Sequence, residues 1–477
     1  MSSAPVFAVV GHPNKGKSSV VATLSQNDAI AIALEPGTTR QQQAYPMTVD
    51  GQTLYTLVDT PGFQRPRRVL QWLEAHSVSA SDRAETVRAF VTEHAGDDRF
   101  VDECELLKPI VDGAGIIYVV DGSVPYSAEH EAEMTILRWT GRPSLALINS
   151  IGGDDYSDTW QAALGQFFQV VRRFDAVRAP FTQHLSLLKA FGQLEPEWEQ
   201  ALASATDYLE DQRQHRQHQA ARLIAETLVD MMRHQQSRRL TDPAMTDDNR
   251  QLEQQLRERW YRHQRSREQR LRKDIESLYQ HQHIQRQEAG LEWHSEHDLF
   301  SENSRQIWGV SRAYLATAGF GAGAVGGAGI DALTFGSSMG AGALLGGLVG
   351  AAGSYFYSNR LALPTLRIGP LDNGEKTASF GPVQDAQFGY VVLGRAINHW
   401  WHIASRNHAG RDLLELEPTD HHWLEGLGKE DRLSIQRALD KGRKRRPLTP
   451  RQQENLIAAI AQAMKVYGQW RLNNTAS

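Results

Sequence analysis

The sequence predicts an α/β domain with a mostly parallel sheet and one antiparallel strand, followed by a mainly α-helical C-terminal region. Up to residue 205, short apolar runs alternate with helix-period stretches, which is the pattern of parallel strands joined by crossover helices. From residue 206 the composition turns to Gln and Arg, with apolar residues three and four positions apart, as in long helices. Between residues 313 and 359, Asp331 is the single charged residue.

Length and charge exclude several classes of protein. The 477 residues allow about three folding units at roughly 150 residues each. The 51 Lys and Arg against 56 Asp and Glu exclude a uniformly basic nucleic-acid coat and a strongly acidic tail protein. Cys104 is the single cysteine, which excludes a disulfide framework and a Cys-based zinc site. The first residues lack a signal-type stretch, so we expect the protein to begin in the cytoplasm.

The sheet is predicted from five apolar runs in the first 205 residues. Asp50-Gly51 separates residues 45–49 from the second of these runs, and this pair predicts a β-hairpin. One antiparallel strand is therefore expected beside otherwise parallel strands. The predicted strands cover residues 6–10, 54–58, 116–120, 145–148 and 170–174.

The strongest motif lies directly after the first predicted strand. Residues 11–18, GHPNKGKS, fit the phosphate-binding pattern G-x-x-x-x-G-K-[ST] between a strand and a helix. Backbone N–H groups in such a loop face phosphates, Lys17 reaches the β- and γ-oxygens, and the Ser18 hydroxyl binds Mg²⁺. The predicted phosphate-binding residues are Gly11, Asn14, Lys15, Gly16, Lys17, Ser18, Ser19 and Gly62.

Two further segments complete the expected nucleotide site. Residues 59–62, DTPG, end a strand, where Asp59 suits a second Mg²⁺ contact and the Gly62 N–H can sense a γ-phosphate. The loop-like residues 36–40, PGTTR, are placed to carry a Mg²⁺-binding threonine. Lys17 and Gly62 are predicted catalytic residues, together with the Mg²⁺-binding threonine of this loop.

Together these motifs resemble the translation-factor-related GTPases of the TrmE–Era group, over residues 1 to about 180. The resemblance implies hydrolysis of GTP to GDP with Mg²⁺, and it implies that Thr39 is a Mg²⁺ ligand. It implies that Phe63 replaces a water-orienting Gln, and that Asn14 helps to bind an activating potassium ion. The long chain also resembles a bacterial family that joins such a GTPase to a C-terminal domain of unknown function.

Base recognition is the point at which the sequence departs from that group. Asn149 begins the segment NSIG, where the group has Asn-Lys-x-Asp, so the stacking Lys and the guanine-reading carboxylate are missing. Asn149 and Asp154 are the predicted base-binding residues, with Asp155 as an alternative. Both carboxylates could equally be turn residues in solvent. Asp175-Ala176 is assigned to the last motif of the group by position alone.

The rest of the chain predicts an arm, a hairpin and a small domain. Glycines at every fourth position around Asp331 favour two closely packed helices with a polar tip. Residues 313–357 either enter a membrane as this hairpin or pack against the protein's own domains. The expected boundaries are 1–205 for the GTPase domain, 206–312 for a helical or coiled-coil arm, 313–359 for the hairpin and 360–477 for a mixed, mainly helical domain.

Weaker signals in the C-terminal part have structural interpretations beside the functional ones. The basic cluster 441–446 could contact RNA or anionic lipid, or be solvated. Residues 366–368 and 378–380 predict a small hairpin, and Thr449-Pro450 predicts the start of the last helix. Residues 399–402, HWWH, predict core aromatics with surface histidines.

Three roles follow for the whole chain. The first is a slow GTPase switch coupled to a membrane through the hairpin and arm, located in the cytoplasm, at the inner membrane surface or inserted by the hairpin. The second is an RNA- or ribosome-associated GTPase, and the third is a nucleotide-sensing scaffold that does not hydrolyse GTP. The helices of residues 206–290 are expected to bind a second copy or a protein partner, or to be solvated.

Overall fold

The computed structural model describes residues 4–25, 42–49, 52–149, 152, 154–176, 179, 181–240, 249–279, 364–370, 376–405 and 421–474. These residues fall into two compact units. The first runs to Gln214, and the second begins at His215 and contains the C-terminal helices. Thr39 and the segment 313–359 lie outside the described residues, so their predicted roles stay predictions.

A six-stranded sheet of order β2-β3-β1-β4-β5-β6 organises the first unit. The hairpin pair β2 and β3 is antiparallel and the other four pairings are parallel. The predicted fold class is therefore confirmed, including the single antiparallel strand. The strands are β1 Val6–Val10, β2 Gln43–Val49, β3 Gln52–Asp59, β4 Gly115–Asp121, β5 Ser144–Asn149 and β6 Val170–Arg173.

Helices cover both faces of this sheet, because its parallel strands are apolar on both sides. All seven residues of β4 are buried. Loops that follow the carboxyl ends of parallel strands gather at one edge of such a sheet, and the nucleotide motifs occupy these loops. The helices are α1 Lys17–Ser25, α2 Pro66–His76, α3 Arg83–Glu93, α4 Val101–Val111, α5 Ala128–Trp139, α6 Ser157–Leu164, α7 Phe181–Leu194 and α8 Pro196–Arg233.

Three consecutive helices, α2 to α4, separate β3 from β4. Their apolar faces share one core with the sheet, which includes Leu73 of α2, Phe90 of α3 and Leu107 of α4. Phe63, directly after DTPG, is fully buried in the same core. The packing of this helical layer therefore determines where the DTPG segment lies.

The second unit combines long helices with a three-stranded antiparallel sheet of order β7-β9-β8. The predicted hairpin of residues 366–380 is present, and Thr449 and Gln452 form the expected reciprocal cap at the last helix. The elements are β7 Gln236–Leu240, α9 Asn249–Leu278, β8 Leu366–Pro370, β9 Lys376–Phe380, α10 Gln387–Ser405, a 3₁₀ turn His421–Gly426, α11 Lys429–Arg443 and α12 Pro450–Asn474.

Three features of this unit differ from the sequence expectations. Strand β7 lies within the stretch expected to be helical throughout, and it forms because β9 supplies its hydrogen-bond partners. The apolar stripe of α9, expected either to bind a partner or to be solvated, is buried, with Trp260 fully inaccessible. His399, expected at the surface, is also buried.

A buried ion pair joins two helices of the second unit. Arg395 of α10 donates from Nε to Glu268 of α9 at 2.7 Å, and Arg272 donates to the same carboxylate at 3.0 Å. The two guanidinium charges lower the pKa of Glu268 despite its burial. Within the described part of the chain, no helix is both long and apolar enough to cross a bilayer.

Candidate nucleotide-binding site

The loop between β1 and α1 has the backbone that the sequence motif requires. Gly11 has a φ of 145°, and a Cβ there would overlap the carbonyl oxygen of Val119. Gly16 has a φ of 81°, and Asn14 adopts the left-handed region with a φ of 62°. Such a loop, closed by a helix N-terminus, turns consecutive N–H groups toward one point and favours an anion there.

Lys17 is the first residue of α1, at the end of this loop. Its side chain is buried, and Nζ donates to the carbonyl oxygen of His12 at 3.1 Å. Burial lowers the pKa of Lys17, while the carboxylates of Asp59 and Glu133 act in the opposite direction. Because a buried ammonium is stable only beside compensating charge, this environment favours a phosphate group at the loop.

Two of the three predicted Mg²⁺ ligands, Ser18 and Asp59, meet at the start of α1. Ser18 Oγ donates to Asp59 Oδ2 at 2.7 Å, although the residues are 41 positions apart. A hydroxyl and a carboxylate oxygen beside a phosphate loop are the donors that Mg²⁺ takes in nucleotide sites, with phosphate and water completing the shell. The residues present therefore fit Mg²⁺. Among the described residues, no cluster of three or more His, Cys, Asp or Glu side chains suits a metal.

The DTPG segment packs directly on the phosphate loop. Thr60 Oγ1 donates to the carbonyl oxygen of Val9 at 2.8 Å, and the Phe63 N–H donates to Gly11 O at 3.3 Å. A Cβ on Gly62 would lie 2.5 Å from the backbone nitrogen of Pro13, so only glycine fits. The side chain of Phe63 is in the core, where it cannot orient a water molecule.

Asn149 connects the base-recognition segment to the phosphate loop. Its Nδ2 donates to Lys15 O at 3.3 Å, and its Oδ1 accepts the N–H of Ala176 at 3.1 Å. Thr23 of α1 donates to Ala176 O at 2.7 Å. The structure thus brings the positional candidate 175–176 next to Asn149.

The two carboxylates offered for base recognition are exposed, and one of them is engaged in a turn. Asp155 accepts the N–H of Ser157 at 2.9 Å ahead of α6, and the hydrogen bonds with Ser157 lower the pKa of Asp155. Asp154 is exposed. Ser19 lies half-buried in the first turn of α1, and Lys15 Nζ reaches Asp121 Oδ2 at 3.6 Å.

Sequence reasoning missed a buried carboxylate beneath the loop. Glu133 of α5 is fully inaccessible, and its two oxygens contact His12 Nδ1 at 2.9 Å and the Tyr118 hydroxyl at 2.8 Å. Burial, with the charge of Glu133, raises the pKa of Tyr118 well above its usual value. Glu133 thus holds His12 and adds negative charge near Lys17. Its only sequence signal was a charged residue on the apolar side of α5.

A second missed carboxylate belongs to α4. Glu103 is buried and accepts the N–H groups of Gln64 and Arg65, at 3.0 and 2.6 Å. Its neighbour Glu105 accepts the N–H of Gln42 at 3.2 Å. Cys104 between them is buried, and burial raises the pKa of its thiol to about 11, as expected of an unreactive cysteine.

Comparison with known proteins agrees with these features. Residues 6–149 match the family model described as 50S ribosome-binding GTPase, and residues 161–464 match a domain of unknown function (DUF3482). GTPase Der of Halorhodospira halophila is 43% identical over 84 residues, 17% of this chain and 18% of that protein. GTPase Der of Mycolicibacterium vanbaalenii is 28% identical over 166 residues, 34% of this chain and 29% of that protein.

Two solved structures of Era are also similar. Aquifex aeolicus Era bound to GDP and aluminium fluoride has 15% identity and a TM-score of 0.27, covering 50% of this chain and 72% of that one. Era in complex with MgGDPNP and a 16S ribosomal RNA fragment has 14% identity and a TM-score of 0.28, covering 50% and 73%. The chain spans about a fifth of the first Der relative.

The phosphate loop, the DTPG segment and the sheet topology agree with the family model over residues 6–149 and identify this part of the chain as a P-loop GTPase domain. The second family model covers well over half of the 477 residues. The chain therefore belongs to the family defined by the domain of unknown function DUF3482, which follows the GTPase domain here.

Proposed function

We propose that this chain binds GTP and hydrolyses it to GDP and phosphate as a molecular switch. The observation that carries the proposal is the 2.7 Å hydrogen bond from Ser18 to Asp59. This contact brings the phosphate loop and the DTPG segment together beside the buried Lys17. A match of one motif by chance would not produce this convergence.

The position of each residue indicates its role in phosphoryl transfer. The loop amides of residues 14–18 and the Lys17 ammonium stabilise the charge that develops on the β–γ bridge and γ-oxygens. Ser18 and Asp59 would hold Mg²⁺, which when bound would neutralise charge on the β- and γ-phosphates. The Gly62 N–H contacts the γ-phosphate. Since Phe63 is buried, no side chain at that position orients water, and turnover is slow without an activator.

Replacement of Lys17 tests the proposal most directly. Lys17→Ala removes the charge facing the phosphates, so GTP binding and turnover should fall by at least about tenfold. Lys108→Ala on α4, an exposed lysine paired with Asp112, is the matched control and should behave as wild type. Equal binding and turnover in a folded Lys17→Ala protein would refute the site. GTP binding without turnover in the wild type would favour the nucleotide-sensing scaffold.

A second candidate function, RNA binding, rests on a basic surface of the second unit. Phe380 faces Trp260 on one side of the β7-β9-β8 sheet, with ring centroids 5.9 Å apart. The strand register and side-chain alternation place Arg239 and Arg367 on the opposite side, where both are exposed. We call this side the basic sheet face.

The exposed run 444–446 adds charge beside the start of β7, where Arg445 donates to the side chain of Gln235 at 2.7 Å. Strands β7, β8 and β9 carry no acidic residue. Arg predominates over Lys on this surface, and planar guanidinium groups suit phosphodiester oxygens. The family model for residues 6–149 is described by binding to the 50S ribosomal subunit, which makes ribosomal RNA the first probe.

Binding of a ribosomal RNA stem-loop across a salt series tests this second function. The double variant Arg239→Ser, Arg367→Ser should weaken binding and make the salt dependence shallower, by roughly 0.7–0.9 in the log–log slope for each phosphate that is no longer neutralised. Arg88→Ser on the exposed side of α3, which removes one surface arginine away from this face, is the control for each single variant. No effect of the double variant on RNA binding would remove the basic sheet face from consideration. Binding to anionic vesicles alone would assign it to lipid.

The membrane-coupled role is a further proposal from the sequence of residues 313–357. This role includes a location at the cytoplasmic side of the inner membrane. It also includes a protein partner or second copy that binds the helices of residues 206–290. Fractionation of a native lysate into membrane, ribosome and soluble pools separates these roles. Recovery in the soluble pool alone would count against both membrane and ribosome association.

A further inference from the structure

Helix α4 contacts the segments that flank both nucleotide-sensing loops. In the sequence, Gln42 is three residues after Thr39 and directly precedes β2, and Gln64 and Arg65 directly follow DTPG-Phe63. Glu105 accepts from the first segment, and Glu103 accepts from the second. Both acceptors lie in the first half of one helix, within the layer inserted between β3 and β4.

Glu103 is placed to control the DTPG segment rather than the surface. Its side chain is buried, whereas Gln64 and Arg65 belong to an exposed stretch. One oxygen, Oε1, accepts both N–H groups, and the side chain of Arg65 also donates to the carbonyl oxygen of Arg99 just before α4. The backbone immediately after Gly62 and Phe63 is thus held from one side by α4 and from the other by the phosphate loop.

We propose that Glu103 is a positioning residue for GTP hydrolysis, which holds residues 62–65 in the arrangement that presents the Gly62 N–H to the γ-phosphate. The inference rests on the proposed GTPase function.

Capping offers a simpler role for the same carboxylate. The Glu103 side chain contacts the residue before α2, where Pro66 is the first helical residue, and an acid at a helix N-terminus stabilises the helix. A residue that only caps α2 affects stability, and its loss would reduce nucleotide affinity and turnover together or neither. A positioning residue affects kcat at nearly constant affinity. The two roles therefore separate in kinetics.

The experiment compares full-length Glu103→Ala, Glu103→Gln and Asp102→Ala, the last being a half-buried acidic neighbour as control. Glu103→Ala should lower kcat for GTP by about tenfold, with KM and GDP affinity changed by less than about threefold. Glu103→Gln should recover part of the loss because its amide oxygen still accepts both N–H groups. Asp102→Ala should match wild type. A kcat for Glu103→Ala equal to that of Asp102→Ala, or no recovery in Glu103→Gln, overturns the proposal.

Hydrogen exchange at the two amides separates this inference from the GTPase proposal. The N–H groups of Gln64 and Arg65 should be protected in the wild type and exchange faster in Glu103→Ala, with or without GDP. Faster exchange in Glu103→Ala supports the positioning role of Glu103 even if the wild type binds GTP without turnover. Binding without turnover would refute only the GTPase proposal. Unchanged exchange at both amides in Glu103→Ala overturns the positioning role of Glu103, whatever the kinetic result.

Discussion

Asn149 donates from Nδ2 to the carbonyl oxygen of Lys15 at 3.3 Å, so the end of β5 is attached to the phosphate loop. The same amide accepts the N–H of Ala176 beyond β6. Three loops therefore meet at one side chain, next to where a base would follow the phosphates. The relationship explains why Asn149 is present although the rest of the usual Asn-Lys-x-Asp motif is not.

We expect GTP to bind more tightly than ATP, with Asn149 and Asp154 as the residues that read the base. Asn149→Ala should weaken binding of both nucleotides because it separates the three loops. Asp154→Asn should reduce the preference for GTP and improve binding of XTP. Side-by-side titration of GTP, ATP and XTP measures this, with Asp155→Asn as the neighbouring comparison. Equal affinity of the wild type for GTP and ATP would contradict the assignment.

Ser18→Ala should weaken nucleotide binding mainly when Mg²⁺ is present. The variant removes the hydroxyl beside Asp59 and leaves the amides of the loop in place. The factor by which Mg²⁺ increases GTP affinity should fall by about tenfold, because one charge-assisted interaction is lost. Titrations with Mg²⁺ and with a chelator measure it. A Mg²⁺ effect as large as in the wild type would exclude Ser18 as a ligand.

Potassium should accelerate GTP turnover relative to sodium at equal ionic strength, if Asn14 has the role that the family resemblance implies. Asn14 lies at the exposed tip of the phosphate loop in the left-handed region. Asn14→Gly keeps this backbone region accessible and removes the amide oxygen, so the difference between the two cations should disappear. Equal rates in both salts for the wild type would remove the potassium site.

The second unit should lose stability as the pH falls from 7 to 5. His234 stacks on His263 with centroids 3.5 Å apart, and burial, His263 and Arg445 outweigh Asp230 to lower the pKa of His234 to about 4. Burial and Arg267 also lower the pKa of His263, against the effect of Asp230. The unfolded chain takes up these protons below about pH 6.5, before the folded chain does, so acidification favours unfolding. For His234 the loss is about 1 kcal/mol, once screening by solvent at this half-buried ring is allowed for.

His234→Phe keeps a ring on His263 and removes one titration, so its thermal midpoint should vary less with pH than that of the wild type. The control is His218→Phe at an exposed position of α8, which should keep the wild-type slope. Equal pH dependence in His234→Phe and in the wild type would show that the stacked pair contributes nothing.

Residues 313–357 are expected to bring the protein to lipid vesicles. The stretch has low charge, but Gly and Ala contribute little insertion energy, so paired helices with Asp331 at the tip are favoured over a single span of about 20 residues. The full chain should float with vesicles in a density gradient. Deletion of 313–357 should abolish flotation and preserve GTP binding. Full-length protein that stays at the bottom, with and without nucleotide, would leave the hairpin as a packing element.

The features that could be predicted from the amino-acid sequence are local ones. The phosphate loop depends on glycines at set positions between a strand and a helix, and DTPG depends on a strand that ends at Asp59. Alternating apolar runs predicted the parallel order, and Asp50-Gly51 predicted the antiparallel pair. Each depends on residues within about ten positions of one another, where spacing and backbone preference are sufficient.

Contacts that join distant segments depend on the folded chain. Glu133 lies 121 positions from His12, and Glu103 lies 39 and 38 from its two donors, so no spacing rule connects them. Strand β7 exists because β9, some 140 residues later, offers a ladder of hydrogen bonds that outweighs helical periodicity. Burial also decided which charges matter, because a carboxylate becomes part of a site only when packing removes it from water and leaves it a few specific donors.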